Sequence, residues 1–303
     1  MKRLAFIGFG EAARAFVASL RQASADVRVG AFDILTSQGR DEALRAAATG
    51  LDVTVFANPS AAVRDANWVF SAVTAADSLD AAASVAAALG SHQVFIDINS
   101  VSAGRKTETA RLLAPSGCAY VDMAVMAPVH PRGHATPSLL AGPAAKTMQA
   151  EMAALGFAVD VVGDEIGAAT SIKMLRSLFV KGMEAVTVQT LLAARAAGRF
   201  DEVYASLAGS FGRLGWPDFP LYQLERVVTH GIRRAAEMRE SAATQAELGF
   251  DAGAALAHAI ADVQQAVGSL GITTRGIEDP ADAYRRVLDA IAGPAPSTAR
   301  TSA

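Results

Sequence analysis

A strand, a tight glycine turn and a helix open the chain and begin a series in which strands and helices alternate. Residues 3–8 form a short apolar run, and the segment after them has apolar residues at helical spacing. Further apolar runs predict strands at 27–33, 52–58, 67–73, 92–99, 120–125, 137–142 and 157–163. Because such alternation favours parallel pairing with crossover helices, the sequence predicts an α/β domain with a mostly parallel, doubly wound sheet.

The first turn reads Gly8-Phe9-Gly10-Glu11-Ala12-Ala13 and fits the pattern G-x-G-x-x-[GA]. In this pattern the first glycine makes the turn, the second lets a pyrophosphate approach the backbone, and a small final residue lets the helix pack on the strand. Since the turn lies between a strand and a helix, it predicts a dinucleotide site at Gly8, Phe9, Gly10, Glu11 and Ala12.

Asp33 ends the second predicted strand, 23 positions after Gly10. An acidic residue there binds the adenosine ribose and favours NAD, because its charge repels the 2′-phosphate of NADP. A helix-capping role for Asp33 stays open, and Ser37 and Arg40 keep NADP open as the cofactor. Val73 and Thr74, after the fourth strand, are predicted to lie along the cofactor.

Strand patterns disappear after Ile166. Helical segments follow, interrupted near Gly198, Pro217, Gly249 and Gly271. We therefore predict a Rossmann domain at 1–164, an all-α domain at 165–292 that begins with an interdomain helix, and a disordered tail at 293–303, which is rich in Pro and Ser.

Composition limits the function. With 303 residues, 51% hydrophobic and 19% charged, the chain has enough apolar material for two cores. A net charge of −3 without a basic stripe argues against nucleic acid, and no apolar run is long enough to span a membrane. The first residues predict a strand and not a signal peptide, so we expect a cytoplasmic protein. The single cysteine, Cys118, excludes an internal disulfide, and we expect no metal site.

Residues 167–181 form the predicted interdomain helix. At 100° per residue, one side is apolar with Met174, Leu175, Leu178, Phe179 and Gly182, and the other is polar with Lys173, Arg176, Ser177 and Lys181. A cationic face suits an anionic substrate, although lysine and arginine on a helix are commonly solvated.

Four segments in order resemble the β-hydroxyacid dehydrogenase superfamily, which includes 3-hydroxyisobutyrate and 6-phosphogluconate dehydrogenases. They are the dinucleotide turn, DINSVSAGRK at 97–106, the substrate-binding segment at 120–143, and the helix in which Gly167 and Lys173 match the glycine and the catalytic lysine of the family. The C-terminal part resembles a branch with its own phosphogluconate-dehydrogenase-like helical domain.

The resemblance implies hydride transfer to or from NAD or NADP, with Lys173 exchanging the hydroxyl proton. A lysine with its ordinary pKa of about 10.4 acts readily as an acid, whereas acting as a base requires burial or a neighbouring cation such as Arg176. Asn99 and Ser100 are expected to contact the substrate or nicotinamide, although Ser100 also suits a helix cap.

The sequence departs from the family at the substrate segment and after the lysine. Met126 replaces a hydroxyl residue that touches the substrate carboxylate, and Arg176 and Ser177 replace two asparagines. We expect Met126, Arg176, Ser177 and Lys181 to contact a small anionic substrate of unassigned identity, with solvation an equal alternative for Lys181.

Other polar residues stay open between site and surface. His130, Arg132 and His134 lie in the substrate-like loop, and His230, Arg233, Arg234 and Glu237 share one helix flank, either as a solvated face or as an anion site. Because relatives associate through helical domains, the resemblance also implies a homodimer. Alternatives to the dehydrogenase are an imine reductase, which usually lacks the lysine, and a non-catalytic NAD(P) sensor.

Overall fold

The computed structural model describes residues 1–23 and 25–292, so the predicted tail at 293–303 lies outside the described residues. The chain forms two compact units, Met1–Leu175 and Arg176–Ala303, the second described to residue 292. The strands are β1 (Lys2–Ile7), β2 (Val27–Phe32), β3 (Val53–Val55), β4 (Trp68–Ser71), β5 (Val94–Asp97), β6 (Ala119–Val125), β7 (Ser138–Ala141) and β8 (Val159–Gly163).

The helices are α1 (Glu11–Gln22), α2 (Ile34–Ser37), α3 (Glu42–Gly50), α4 (Pro59–Val63), α5 (Ser78–Ala86), α6 (Ala103–Leu113), α7 (Ala145–Ala153), α8 (Ala168–Ala196), α9 (Phe200–Ser210), α10 (Asp218–Glu247), α11 (Asp251–Gly268) and α12 (Pro280–Ala292). Each predicted strand is present, and the predicted interruptions separate the helices from α8 onward.

The eight strands form one sheet with the order β3-β2-β1-β4-β5-β6-β7-β8. Pairing is parallel except between β6 and β7, so the prediction of a mostly parallel, doubly wound sheet is confirmed. The strand order reverses between β1 and β4. Ligands bind at the carboxyl ends of the strands at such a reversal.

Two apolar cores cover the two faces of the sheet, because successive strand residues point to opposite sides. Phe6 of β1 belongs to the core that α1, α3 and α7 cover, and Ile7 belongs to the core of α4, α5 and α6. The carboxyl ends of the strands are thus held between helix layers.

The first unit extends 11 residues beyond the predicted boundary at 164/165 and includes the start of α8. Ala169 is fully buried against Ala124 of β6 and Ala141 of β7. Small side chains at this contact let the helix approach the sheet closely, so the first two turns of α8 pack as part of the sheet unit.

The second unit has apolar cores among α8 to α12, with buried residues such as Leu191, Leu224 and Tyr284. Gly231 of α10 and Gly268 of α11 meet where these helices cross. A Cβ atom on Gly231 would come within 2.2 Å of the Gln264 carbonyl oxygen. The two helices therefore pack backbone against backbone at this point.

Candidate functional site

The glycine turn after β1 has the geometry of a phosphate-binding turn. Gly8 has a φ of +88°, and a Cβ atom there would lie 2.4 Å from the Ala72 carbonyl oxygen. Gly10 is the N-cap of α1, receives no side-chain cap, and would place a Cβ atom in open space. Because the first amides of α1 have no side-chain acceptor at the cap, the turn fits a dinucleotide pyrophosphate.

The other predicted turn residues offer mainly their backbone. The Phe9 side chain is fully buried in the core, while Glu11 is exposed and Ala12 half-buried in the first turn of α1. Ala13 is fully buried and, as predicted, lets α1 lie close to the sheet.

Asp33 binds the glycine turn from the end of β2. Its Oδ2 accepts the Phe9 amide at 2.8 Å, and its Oδ1 accepts the Leu35 amide at 3.0 Å as the N-cap of α2. The structure therefore shows the capping role, and ribose binding stays a prediction. Ser37 donates to the Ile34 carbonyl, and Arg40 donates to Gln38.

Asn99 joins the loops that follow β4 and β5. Its Oδ1 accepts the Val73 amide at 2.8 Å, and its Nδ2 donates to Ser71 Oγ at 2.8 Å. The side chain is only 4% exposed, so the Val73 loop is fixed by a buried amide group. Thr74 is exposed and donates to Asp77. Contacts of Asn99, Val73 and Thr74 with cofactor or substrate stay predictions.

Lys173 and Ser100, which are 73 positions apart in sequence, meet in the first unit. Lys173 Nζ donates to Ser100 Oγ at 2.7 Å, and both residues are half-buried. Gly167, with a φ of +101°, precedes α8, and a Cβ atom there would lie 2.9 Å from the Ala103 Cβ atom. The missing side chain lets α8 begin against α6. Ser102, not Ser100, caps α6.

A buried charged cluster in the same unit was not predicted from the sequence. Lys106 Nζ lies 3.0 Å from Asp97 Oδ1 and 3.4 Å from Asp122 Oδ1, and all three side chains are fully buried. The available signal was a pair of aspartates on two consecutive predicted strands, with a lysine on the helix between them.

The substrate-like loop separates into exposed and buried parts. His130 and Arg132 are exposed, and Met126 packs beside the small core of Ala124, Ala141 and Ala169. A substrate contact of Met126 stays a prediction.

His134, in the same loop, is only 4% exposed and fixes the loop to α1. Its Nδ1 lies 2.6 Å from Ser19 Oγ, which also accepts the His134 amide at 2.8 Å. Burial lowers the pKa of His134, and a hydrogen bond with the Leu155 backbone partly opposes the shift. His134 therefore has a structural place in the loop.

Burial at the α8 opening does not follow the division into an apolar and a polar side. Leu175 and Phe179, on the apolar side, are 43% and 71% exposed, whereas Ser177 and Lys181, on the polar side, are each 5% exposed. The reason lies in the second unit, where Lys181 Nζ lies 2.9 Å from Glu237 Oε2 and donates to Ser177 Oγ at 3.1 Å.

Burial lowers the pKa of Lys181, and Glu237 opposes this shift. The polar groups of Lys181 and Ser177 are thus engaged within the second unit, while Arg176 is exposed. Substrate contacts of these three residues stay predictions.

The flank that includes Arg234 is not a uniformly solvated face. Arg234, 6% exposed, donates from Nε to Glu184 Oε2 at 2.8 Å, and Gln264 donates to the same oxygen at 2.9 Å. Arg233 is exposed and pairs with Glu237. Arg234 therefore contributes to the helical core, because a buried carboxylate on α8 needs its charge.

The described residues bring no three His, Cys, Asp or Glu side chains into an arrangement that could hold a metal ion. Within the same residues, no helix combines the length and apolar character needed to cross a membrane.

Two family models match the chain. The NAD binding domain of 6-phosphogluconate dehydrogenase matches residues 3–162, which include the glycine turn, Asp33 and Ser100. A domain of unknown function, DUF1932, matches residues 194–267 of the helical part. The N-terminal match covers more than half of the chain.

Solved structures with the same fold include proteins with and without an assigned activity. A conserved hypothetical protein from Sinorhizobium meliloti is 34% identical, covers 96% of each chain and has a TM-score of 0.72. A 3-hydroxyisobutyrate dehydrogenase from Mycobacterium tuberculosis, solved with L-serine, is 17% identical over 95% of this chain and 100% of its own, with a TM-score of 0.68. An imine reductase from Myxococcus stipitatus with NADP+ is 20% identical over 95% and 100%, with a TM-score of 0.52.

Proposed function

Because this chain belongs to the family with the NAD binding domain of 6-phosphogluconate dehydrogenase, within the β-hydroxyacid dehydrogenase superfamily, we propose that it is an NAD(P)-dependent oxidoreductase. Its substrate is a small hydroxy acid or a related anion. The observation that carries this proposal is the hydrogen bond of 2.7 Å from Lys173 to Ser100, beyond the carboxyl end of β5.

The proposed cofactor site is the turn at Gly8 and Gly10 together with the α1 N-terminus, Asp33 and the Val73 loop. The bound nicotinamide supplies hydride chemistry at the alcohol or carbonyl carbon of the substrate. The chain supplies open backbone amides at Gly10 for the pyrophosphate, and its α1 dipole favours the negative charge. NAD is favoured, because the Asp33 carboxylate repels a 2′-phosphate.

Lys173 is the proposed general acid and base. As an ammonium group it donates a proton to the carbonyl oxygen during reduction, and as an amine it accepts the hydroxyl proton during oxidation. Ser100 accepts a hydrogen bond from Lys173 and so limits the directions that Nζ can take. Its own hydroxyl hydrogen is then available for a substrate oxygen.

We also propose a homodimer formed through the helical unit. Phe179 and Val186, two turns apart on α8, are 71% and 66% exposed, and Ile232 on α10 and Leu256 on α11 are 56% and 54% exposed. Apolar side chains this exposed on three helices of one unit favour burial against a second copy.

A substrate screen tests the proposed activity. Purified protein is mixed with NAD or NADP and hydroxy acids, with NADH or NADPH and the matching oxo acids, and separately with cyclic imines plus reduced cofactor. Turnover of a hydroxy acid or its oxo acid is expected. Reduction of imines alone would indicate an imine reductase, and cofactor binding without turnover across all panels would indicate a sensor.

A further inference from the structure

Lys106 is the centre of a buried charged cluster that connects strands β5 and β6. Asp97 of β5 and Asp122 of β6 are direct neighbours in the parallel register. Lys106 Nζ pairs with both carboxylates and also donates to the Asp97 carbonyl oxygen at 2.6 Å. One ammonium group therefore lies between two carboxylates on adjacent strands, and it interacts with Asp122 Oδ1 at 3.4 Å as an ion pair without a hydrogen bond.

The cluster carries more negative than positive charge in a site closed to water. Two carboxylates face one ammonium, and three neutral donors supply the remaining stabilisation. The Tyr120 hydroxyl donates to Asp97 Oδ2 at 2.7 Å, the Asn99 amide to Asp97 Oδ1 at 2.9 Å, and the Thr170 amide to Asp122 Oδ2 at 3.0 Å. Without Lys106, two buried like charges would stand side by side, which is strongly unfavourable.

Each aspartate also accepts a hydrogen bond from a backbone amide close in sequence to one member of the proposed proton-transfer pair. Asp97 fixes the amide of Asn99, the residue directly before Ser100. Asp122 fixes the amide of Thr170 in the first turn of α8, three residues before Lys173, and the Thr170 hydroxyl donates to the Val101 carbonyl at 2.6 Å. The loop and the helix are thus tied to the same buried ammonium group.

We infer that Lys106 is a positioning residue for the Lys173–Ser100 pair. It acts through Asp97 and Asp122, and it touches neither substrate nor cofactor. A buried charged cluster contributes little to the free energy of folding, since apolar residues of similar volume often stabilise a core as well or better. Its value here is geometric, because proton transfer requires Nζ to be placed within a fraction of an ångström, and a displacement of about 1 Å can cost about 100-fold in rate.

The inference rests on the proposed role of Lys173 and is tested with Lys106→Met, which keeps a long side chain and removes the charge. Lys106→Met is expected to lower kcat by about 100-fold. The double variant Lys106→Met/Asp122→Asn restores the original net charge and keeps an oxygen for Thr170. We expect it to recover at least about tenfold in kcat. Lys146→Met, on the exposed side of α7, is the matched control.

Hydrogen exchange provides a readout that needs no substrate. In Lys106→Met, peptides that cover 98–101 and 168–174 should exchange faster than in the wild type, and the double variant should regain protection. Wild-type kcat and exchange in folded Lys106→Met would overturn the inference, as would failure of Asp122→Asn to recover either property. A fully active Lys173→Ala would instead refute the proposed function and leave the exchange result to decide the role of Lys106.

Discussion

Lys173 Nζ donates a hydrogen bond of 2.7 Å to Ser100 Oγ, joining the start of α8 to the loop that follows β5. Lys173→Ala removes the proposed proton donor and should lower kcat for the substrate by about 100-fold to 10,000-fold, the usual contribution of general acid–base catalysis. Steady-state kinetics measure the loss, and fluorescence titration should give an unchanged affinity for the reduced cofactor.

Lys146→Ala is the matched control for Lys173→Ala, since Lys146 is exposed on α7 in the same unit. It should retain the wild-type rate. A rate for Lys173→Ala within threefold of that control would be incompatible with the acid–base role.

Gly10→Ala and Gly8→Ala should have different effects. The new methyl group at Gly10 meets no protein atom, so the fold should persist while affinity for NAD or NADP falls by about tenfold or more. At Gly8 the methyl group clashes with the Ala72 carbonyl, and the positive φ adds strain, so the free energy of unfolding should fall by about 1–3 kcal/mol.

Calorimetric titration and urea unfolding distinguish the two glycine variants. Gly50→Ala, at the end of α3 where an added methyl also meets nothing, serves as the control. Equal cofactor affinity in Gly10→Ala and Gly50→Ala would show that the pyrophosphate does not approach the turn.

Phe179→Asp and Val186→Asp test the homodimer. A charge on either exposed apolar side chain should be costly to bury between two copies, so each variant should sediment as a monomer where the wild type sediments as a dimer. Ile291→Asp, at a 55% exposed position on α12, should remain dimeric. A monomeric wild type, or dimeric variants at both positions, would refute the proposed surface.

His134 should make stability depend on pH. Burial lowers its pKa in the folded protein, so between that pKa and the ordinary value of about 6.5 the unfolded chain binds more protons. Its contribution to stability is therefore present above about pH 6.5 and is lost as the pH falls toward the lowered folded-state pKa.

The midpoint temperature of thermal unfolding is measured from pH 8 to pH 5. It should fall less steeply for His134→Gln than for the wild type. His130→Gln, exposed in the same loop, should follow the wild-type profile. Parallel profiles for wild type and His134→Gln would show that His134 does not titrate in this way.

Much of the first unit follows from local sequence. Each strand is an apolar run ended by a turn. The close contacts at Gly8 and Ala13 depend on the absence of a large side chain, which the residue types show directly. Glycines also marked the interruptions among the later helices. These features need no knowledge of distant contacts, so the order of strands and helices was predictable.

Burial of charge was not predictable in the same way. Periodicity left Lys181 and Arg234 open between a solvated face and an anion site. In the structure each is buried against a carboxylate about 50 residues distant in sequence, Glu237 and Glu184 respectively. Lys106 likewise meets Asp122 only after the sheet pairs. Helical periodicity does not show which charged side chains meet a distant carboxylate, so it could not decide between the alternatives.

The two hydrogen bonds of Asp33 limit how the nucleotide preference of this protein can be redesigned. The usual engineering step from NAD toward NADP replaces the acidic residue with a neutral or basic one. Here the same carboxylate holds the Phe9 amide of the glycine turn and the Leu35 amide of α2. The proposed selectivity for the ribose and the observed contacts of the turn therefore involve one side chain, so a redesign has to leave Asp33 in place and work through Ser37 and Arg40.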